Sequence, residues 1–168
     1  MNVIEFAVHC LENTRNHTLA QVEDLTDSEM MFQPRPGINH PLWLLGHIAT
    51  SENGLILRWC ANESALPGEY VKVFFMGTTP QSDPSLYPTK DEILDVLTGL
   101  HARAIEVVEG LSAEALDERP IGYEEMNPRA QELFWSKGAC IYVHATHEAG
   151  HASQITLLRR LLGKPYRV

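Results

Sequence analysis

The stretch from Ser136 to Leu162, SKGACIYVHATHEAGHASQITLLRRLL, decides the fold. Its apolar residues recur every three or four positions, the period of an amphipathic helix, and Gly163 and Pro165 stop it. The helix is predicted to begin near Gln131 or Ser136. Working back along the chain, Thr89 and Glu92 have the spacing of a reciprocal capping box. They open a helix whose inner side carries Ile93, Val96, Leu97, Leu100, Ala104, Val107 and Val108, with Gly110 closing it. Another helix is expected from His40 or Pro41 to about Asn62, with Leu44, Leu45, Ile48, Leu55 and Ile56 as its apolar content. The first runs to about Asp24 on Val3, Phe6, Ala7, Cys10, Leu11, Leu19 and Val22.

Between these lie breakers. Thr26-Asp27-Ser28-Glu29 reads as a cap and one short turn, followed by Gln33-Pro34-Arg35-Pro36-Gly37. Leu111 to Leu116 is a further short turn, and Pro120 to Pro128 a linker. Residues 63–88, rich in Pro, Gly, Ser and Thr, form a long irregular connection between the second and third long helices. Within it Val71-Lys72-Val73-Phe74-Phe75 is expected either to pair as a short strand or to pack a loop on the bundle. A connection of this length suits a lid over a site. Four long amphipathic segments predict an all-α four-helix bundle, formed by residues 1–168 as a single domain without internal repeats.

The 168 residues carry a formal charge of −9, and 44% are hydrophobic. Nucleic acid is excluded as a partner, because phosphate binding needs clustered Lys and Arg, and here the basic residues are scattered. Arg159-Arg160 is assigned to the end of the last helix, where cations complement its C-terminus. No segment has the length to span a bilayer, so no membrane partner is expected. The first residues lack the basic start and apolar run of a signal peptide. Cys10, Cys60 and Cys140 are odd in number and form no CxxC pair, which favours reduced thiols and a cytoplasmic location.

Three of the eight histidines fall in Val143-His144-Ala145-Thr146-His147-Glu148-Ala149-Gly150-His151. At about 100° per residue, Cys140, His144, His147 and His151 share an arc of roughly 60°. His147 and His151 lie one turn apart, so both can aim an imidazole nitrogen at one cation. Ala145, Ala149, Gly150 and Ala152 leave room around them. HEAGH also matches the H-E-x-x-H pattern of zinc proteases. The residues after His151 contain no His, Asp or Glu, however, so a third ligand has to come from upstream. The best-placed candidate is His47, mid-helix in an apolar run beside Gly46. His9, His17, His40 and His101 lack such a setting and are assigned to surface or packing roles.

With these residues in view, the sequence resembles the DinB-like/YfiT-like superfamily of metal-dependent helical proteins. The resemblance covers almost the whole chain, and it is most specific at His147, His151 and Gln154, the H-x-x-x-H followed by glutamine of the last helix. Asn39 to Ala49 also resembles the helical domain of ergothioneine-synthesising sulfoxide synthases, whose separate catalytic domain has no counterpart here. One departure is that Ala152-Ser153 stands where relatives often carry Arg-Gly. The resemblance implies a homodimer of bundles with a divalent metal on His47, His147 and His151.

Three imidazoles suit zinc, nickel or iron, and they leave coordination positions open for chemistry. Such a site activates water, or holds a low-molecular-weight thiol as thiolate. The resemblance implies a transferase that directs such a thiol at an electrophilic small molecule. A metal-dependent small-molecule hydrolase and a non-enzymatic metal-binding stress-response protein are the alternatives. Glu148 and His144 are the candidates for proton transfer or for orienting a ligand, and Gln154 is the candidate for cofactor contact.

Overall fold

The computed structural model describes residues 1–167. In chain order its helices are α1 (Val3–Val22), α2 (Asp27–Met30) and α3 (Pro41–Glu52), which runs on through a π-helical stretch, Asn53–Arg58, into α4 (Trp59–Ala61). Then come α5 (Gly68–Phe74), α6 (Lys90–Glu109), α7 (Pro128–Leu133) and α8 (Lys137–Leu161). No strand occurs among the described residues.

Local chemistry sets the starts. Capping boxes join Asn2 to Glu5, Thr26 to Glu29 and Thr89 to Glu92, the last as the sequence spacing predicts. Ser136 caps α8 by accepting from the Ala139 amide at 3.1 Å. The histidine before Pro41 has a role that its sequence setting does not reveal. His40 Nδ1 accepts from the Trp43 amide at 3.1 Å and caps α3.

α1, α3, α6 and α8 form the bundle. α1 packs on α8 and α6, and α3 packs on α6 and α8, so sequence neighbours α1 and α3 sit on a diagonal. Cross-helix contacts give the directions. Arg15 meets Glu148 and Gln21 meets Arg159, so α1 and α8 run parallel. Glu52 meets His101 and Glu63 meets Arg103, so α3 and α6 also run parallel. Ser51 meets His144 while Trp59 meets Phe134, so α3 and α8 oppose each other. The order is up-down-down-up.

This topology explains the long connection. Two consecutive parallel helices need a return path of about one bundle length, and residues 62–89 supply it. The path is tied down on its way: Asn53 Oδ1 accepts from the Ala65 and Leu66 amides at 3.0 and 3.2 Å. The segment expected as strand or loop is the helix α5, packed on α3. Its β-branched residues favour a strand locally, but burial of Tyr70 and Phe74 one turn apart decides the outcome.

α3 is buried on nearly every side, with Leu44, Leu45, Ile48 and Ala49 fully enclosed. α8 buries Cys140, His144, Glu148, Ala152, Ile155 and Arg159, a stripe stepping three and four residues at a time. Arg159 is not simply complementing a helix end. It is fully buried, donating to Asp24, to the Gln21 carbonyl at 2.8 Å and to the Pro165 carbonyl at 3.0 Å. No helix of the described residues is long and apolar enough to cross a membrane.

Candidate metal centre

His147 and His151 lie one position beyond the buried stripe of α8, which turns them toward α3 and leaves them half-buried. On α3, His47 faces them. Its ring centroid is 5.0 Å from that of His147 and 5.1 Å from that of His151. One nitrogen from each of the three falls within 4.8 Å of the other two. Among the described residues this is the one His, Cys, Asp and Glu group with metal-holding geometry.

Hydrogen bonds decide which nitrogens are free. His47 Nδ1 is 2.8 Å from the Phe74 carbonyl, which only accepts, so Nδ1 carries the proton and Nε2 keeps its lone pair. His151 Nδ1 donates to Gln154 Oε1 at 3.1 Å, which frees its Nε2 in the same way. His147 Nε2 and His151 Nε2 are 3.0 Å apart. Without a cation, His147 Nε2–H has to be the donor of that pair, because His147 Nδ1 is buried and nothing accepts from it. A tetrahedral zinc with Zn–N near 2.0 Å places ligand nitrogens about 3.3 Å apart. The donor set therefore fits a divalent cation that replaces the one shared proton.

Burial keeps these rings neutral. It is the main cause lowering His47, opposed by the Phe74 carbonyl, and lowering His151, opposed by Gln154. His147 is pushed down to about 3 by burial and then by its His151 and His47 neighbours. Neutral imidazoles are the form that binds metal. Trp43 stacks flat on His47, with centroids 4.9 Å apart and planes 11° from parallel.

Glu148 and His144 fall into a different assembly. Arg15 spans Glu148 and Glu52, all three buried, and donates through Nη1 to the Leu97 carbonyl at 3.0 Å. His101 Nδ1 lies 2.7 Å from Glu52 Oε1, so it is neither a surface nor a simple packing residue. His144 Nε2 sits 3.5 Å from Glu52 and 3.6 Å from Glu148. The structure thus brings His47, His147, His151 and Gln154 together and places Glu148 and His144 in the neighbouring ionic network.

Sequence reasoning missed that network and both partners of His47, Trp43 and the Phe74 carbonyl. A signal was present for part of it. Arg15 follows Leu11 by four and precedes Thr18 and Val22 by three and seven, on the buried stripe of α1. Nothing local in the sequence marks the Phe74 carbonyl, which reaches His47 only through the fold.

The sequence profile of the DinB superfamily matches residues 11–155. This chain belongs to the DinB superfamily. The match takes in α3 and α6 whole, the larger part of α1 and of α8, and the three clustered histidines. A comparison with curated proteins gives no match. Among solved structures, this superfamily member is similar to a conserved protein of Enterococcus faecalis, with TM-score 0.73 and 18% identity over 98% of this chain and 99% of that one. It is also similar to YfiT of Bacillus subtilis, described as a probable metal-dependent hydrolase with an unusual four-helix bundle topology. There the TM-score is 0.65 and the identity 19%, over 98% of this chain and 91% of the other. At these identities the likeness is one of fold.

Proposed function

We propose that this DinB-superfamily chain is a divalent-metal-dependent enzyme acting on small molecules, with His47, His147 and His151 as its three metal ligands. The carrying observation is the convergence of three imidazole nitrogens, with the Nε2 lone pairs of His47 and His151 fixed by Nδ1–H donation to Phe74 and Gln154. A bound divalent cation supplies Lewis acidity that favours the deprotonated form of a water or thiol at neutral pH.

Water is the nucleophile we favour, hence a small-molecule hydrolase. The description of YfiT supports it. So does the inventory of cations: a low-molecular-weight thiol is commonly a carboxylate and wants a basic partner. Ala152 and Ser153 stand where the resembling sequences often carry Arg-Gly, and Arg15 is committed to Glu148 and Glu52. Thiol transfer to an electrophile is the second reading, supported by the His147–His151–Gln154 motif. Zinc, nickel and iron(II) all suit three imidazoles. Homodimer formation, tested by light scattering at micromolar concentration, belongs to the same proposal.

The test is metal content per chain of protein purified without an affinity tag, beside His147→Ala. One equivalent in the wild type, lost in the variant, is expected. The loaded protein is then assayed on a panel of esters, amides and electrophiles with and without added thiol. A rate independent of thiol supports hydrolysis, and one that requires thiol supports transfer. A wild type that binds no metal after reconstitution sinks both readings.

A further inference from the structure

The sequence places Gly46 directly before His47, and the structure shows what the glycine admits. An ideal Cβ at Gly46 would lie 2.3 Å from Cδ1 and Cγ of Phe74, where carbon contacts need about 3.5 Å or more. The Phe74 ring therefore lies against the α3 backbone in a space only glycine leaves. It is boxed from the other sides, with Tyr70 at 5.3 Å and Tyr87 at 5.8 Å between ring centroids. Tyr87 in turn sits edge-on to His40, the cap of α3, at 4.8 Å.

Phe74 is also the last residue of α5, and the final carbonyls of a helix have no partners within it. α3 provides partners for two of them. The Trp43 indole N–H donates to the Val73 carbonyl at 3.1 Å, and His47 Nδ1–H donates to the Phe74 carbonyl at 2.8 Å. Trp43 and His47 are one turn apart with stacked rings, so two successive carbonyls of α5 meet two stacked donors of α3. Thr78 closes the arrangement by accepting from the same indole at 3.2 Å. A ring seated on Gly46 thus fixes the position of the acceptor that dictates the His47 tautomer.

We propose that Gly46 and Phe74 form a positioning clamp, through which the crossover helix α5 holds His47 with Nε2 free and turned to the triad. Neither residue is itself a ligand. The clamp rests on the metal reading for its purpose but not for its geometry. Partners that orient a ligating imidazole typically change metal affinity by 10–100-fold when lost.

The experiment compares wild type, Gly46→Ala, Phe74→Ala and the double variant. Two readouts are taken: the His47 tautomer in metal-free protein, from imidazole nitrogen–proton NMR correlations, and zinc affinity by competition with a chromophoric chelator. Circular dichroism checks the fold. Wild type is expected to show the Nδ1–H tautomer of His47. Gly46→Ala pushes the ring and the end of α5 away, so it gives mixed tautomers and zinc binding weaker by 10–100-fold. Phe74→Ala, with the seat removed but no clash, shows a smaller loss of both. The double variant, whose new methyl enters the space the ring has left, recovers most of what Gly46→Ala loses.

A folded Gly46→Ala with the wild-type tautomer and affinity overturns the clamp, as does a double variant no better than Gly46→Ala. If Gly46→Ala does not fold, Phe74→Ala decides: an unchanged His47 tautomer overturns the proposal and a mixed one supports it. If wild type takes up no zinc, the metal reading falls, and the metal-free tautomer comparison still decides the clamp by itself.

Discussion

Arg15 and Glu148, 133 positions apart in sequence, close a two-pronged ion pair inside the bundle, Nε to Oε1 at 2.8 Å and Nη2 to Oε2 at 3.1 Å. The same Nη2 reaches Glu52 Oε2 at 2.9 Å, and Nη1 reaches the Leu97 carbonyl. One side chain therefore joins α1, α8, α3 and α6. Burial pushes the Glu52 carboxyl up, but Arg15 and the hydrogen bond from His101 outweigh it and hold Glu52 well below the usual carboxylate range. The network lies behind the histidine triad, since Glu148 adjoins His147 in the chain.

Removing the one guanidinium leaves two buried carboxylates without it. Arg15→Ala is expected to cost about 3–5 kcal/mol, the range for breaking a buried pair by deleting one partner. Urea denaturation followed by circular dichroism measures it. A loss under about 1 kcal/mol would mean that water or His101 and His144 satisfy both carboxylates, and that the network is dispensable.

Gln154 offers the opposite contrast. It is exposed, and its Oε1 accepts from His151 Nδ1. Gln154→Ala is expected to leave the melting temperature within about a degree or two, as surface changes do, and to weaken zinc by about tenfold through the lost orientation of His151. Unchanged affinity in the chelator competition would show that the helix backbone alone holds His151.

The thiols are expected to divide by burial. Cys60 and Cys140 are enclosed, and burial pushes each up to about 12, with the neighbouring Cys60 adding to the effect at Cys140. Cys10 is only partly buried. Ellman's reagent on the native protein should therefore titrate about one thiol per chain at neutral pH, with two more appearing in guanidinium. Fast reaction of a second thiol in the native state would require the core around Cys60 and Cys140 to open.

Much of this architecture was legible in the sequence because it is local. Helical periodicity gave the four long segments, Thr89 and Glu92 marked the start of α6, and the i, i+4 pair His147 and His151 marked the triad. What escaped is what only tertiary structure provides. Val71 to Phe75 has strand-like composition, and all of it but Phe75 is helical because Tyr70 and Phe74 bury one turn apart, with Phe74 against Gly46. His101 and His144 carry no local mark of sharing Glu52, since their partner lies on another helix. The up-down-down-up order follows from pairings such as Arg15 with Glu148, whose sequence separation hides them.

Acid should weaken the fold well before the carboxylates titrate. Burial pushes His40 down to about 4 and His147 to about 3, while in the unfolded chain both return to about 6.5. A depressed folded value means that the unfolded chain binds protons first as pH falls. The stability they contribute is thus complete above about 6.5 and lost progressively on the way down through about 4 and 3. Glu52, also depressed, adds a loss that begins lower, near its ordinary value of 4.5. The melting temperature is therefore expected to be flat from pH 8 to 7 and to decline from 6.5 downward, steepening below 4.5. His40→Asn isolates one component: asparagine keeps an acceptor for the Trp43 amide but does not titrate, so the decline between pH 6.5 and 4 should become shallower. A melting temperature unchanged from pH 7 to 4.5 in the wild type would show that the buried imidazoles take up protons as readily in the folded protein as in the unfolded one, and that water reaches them.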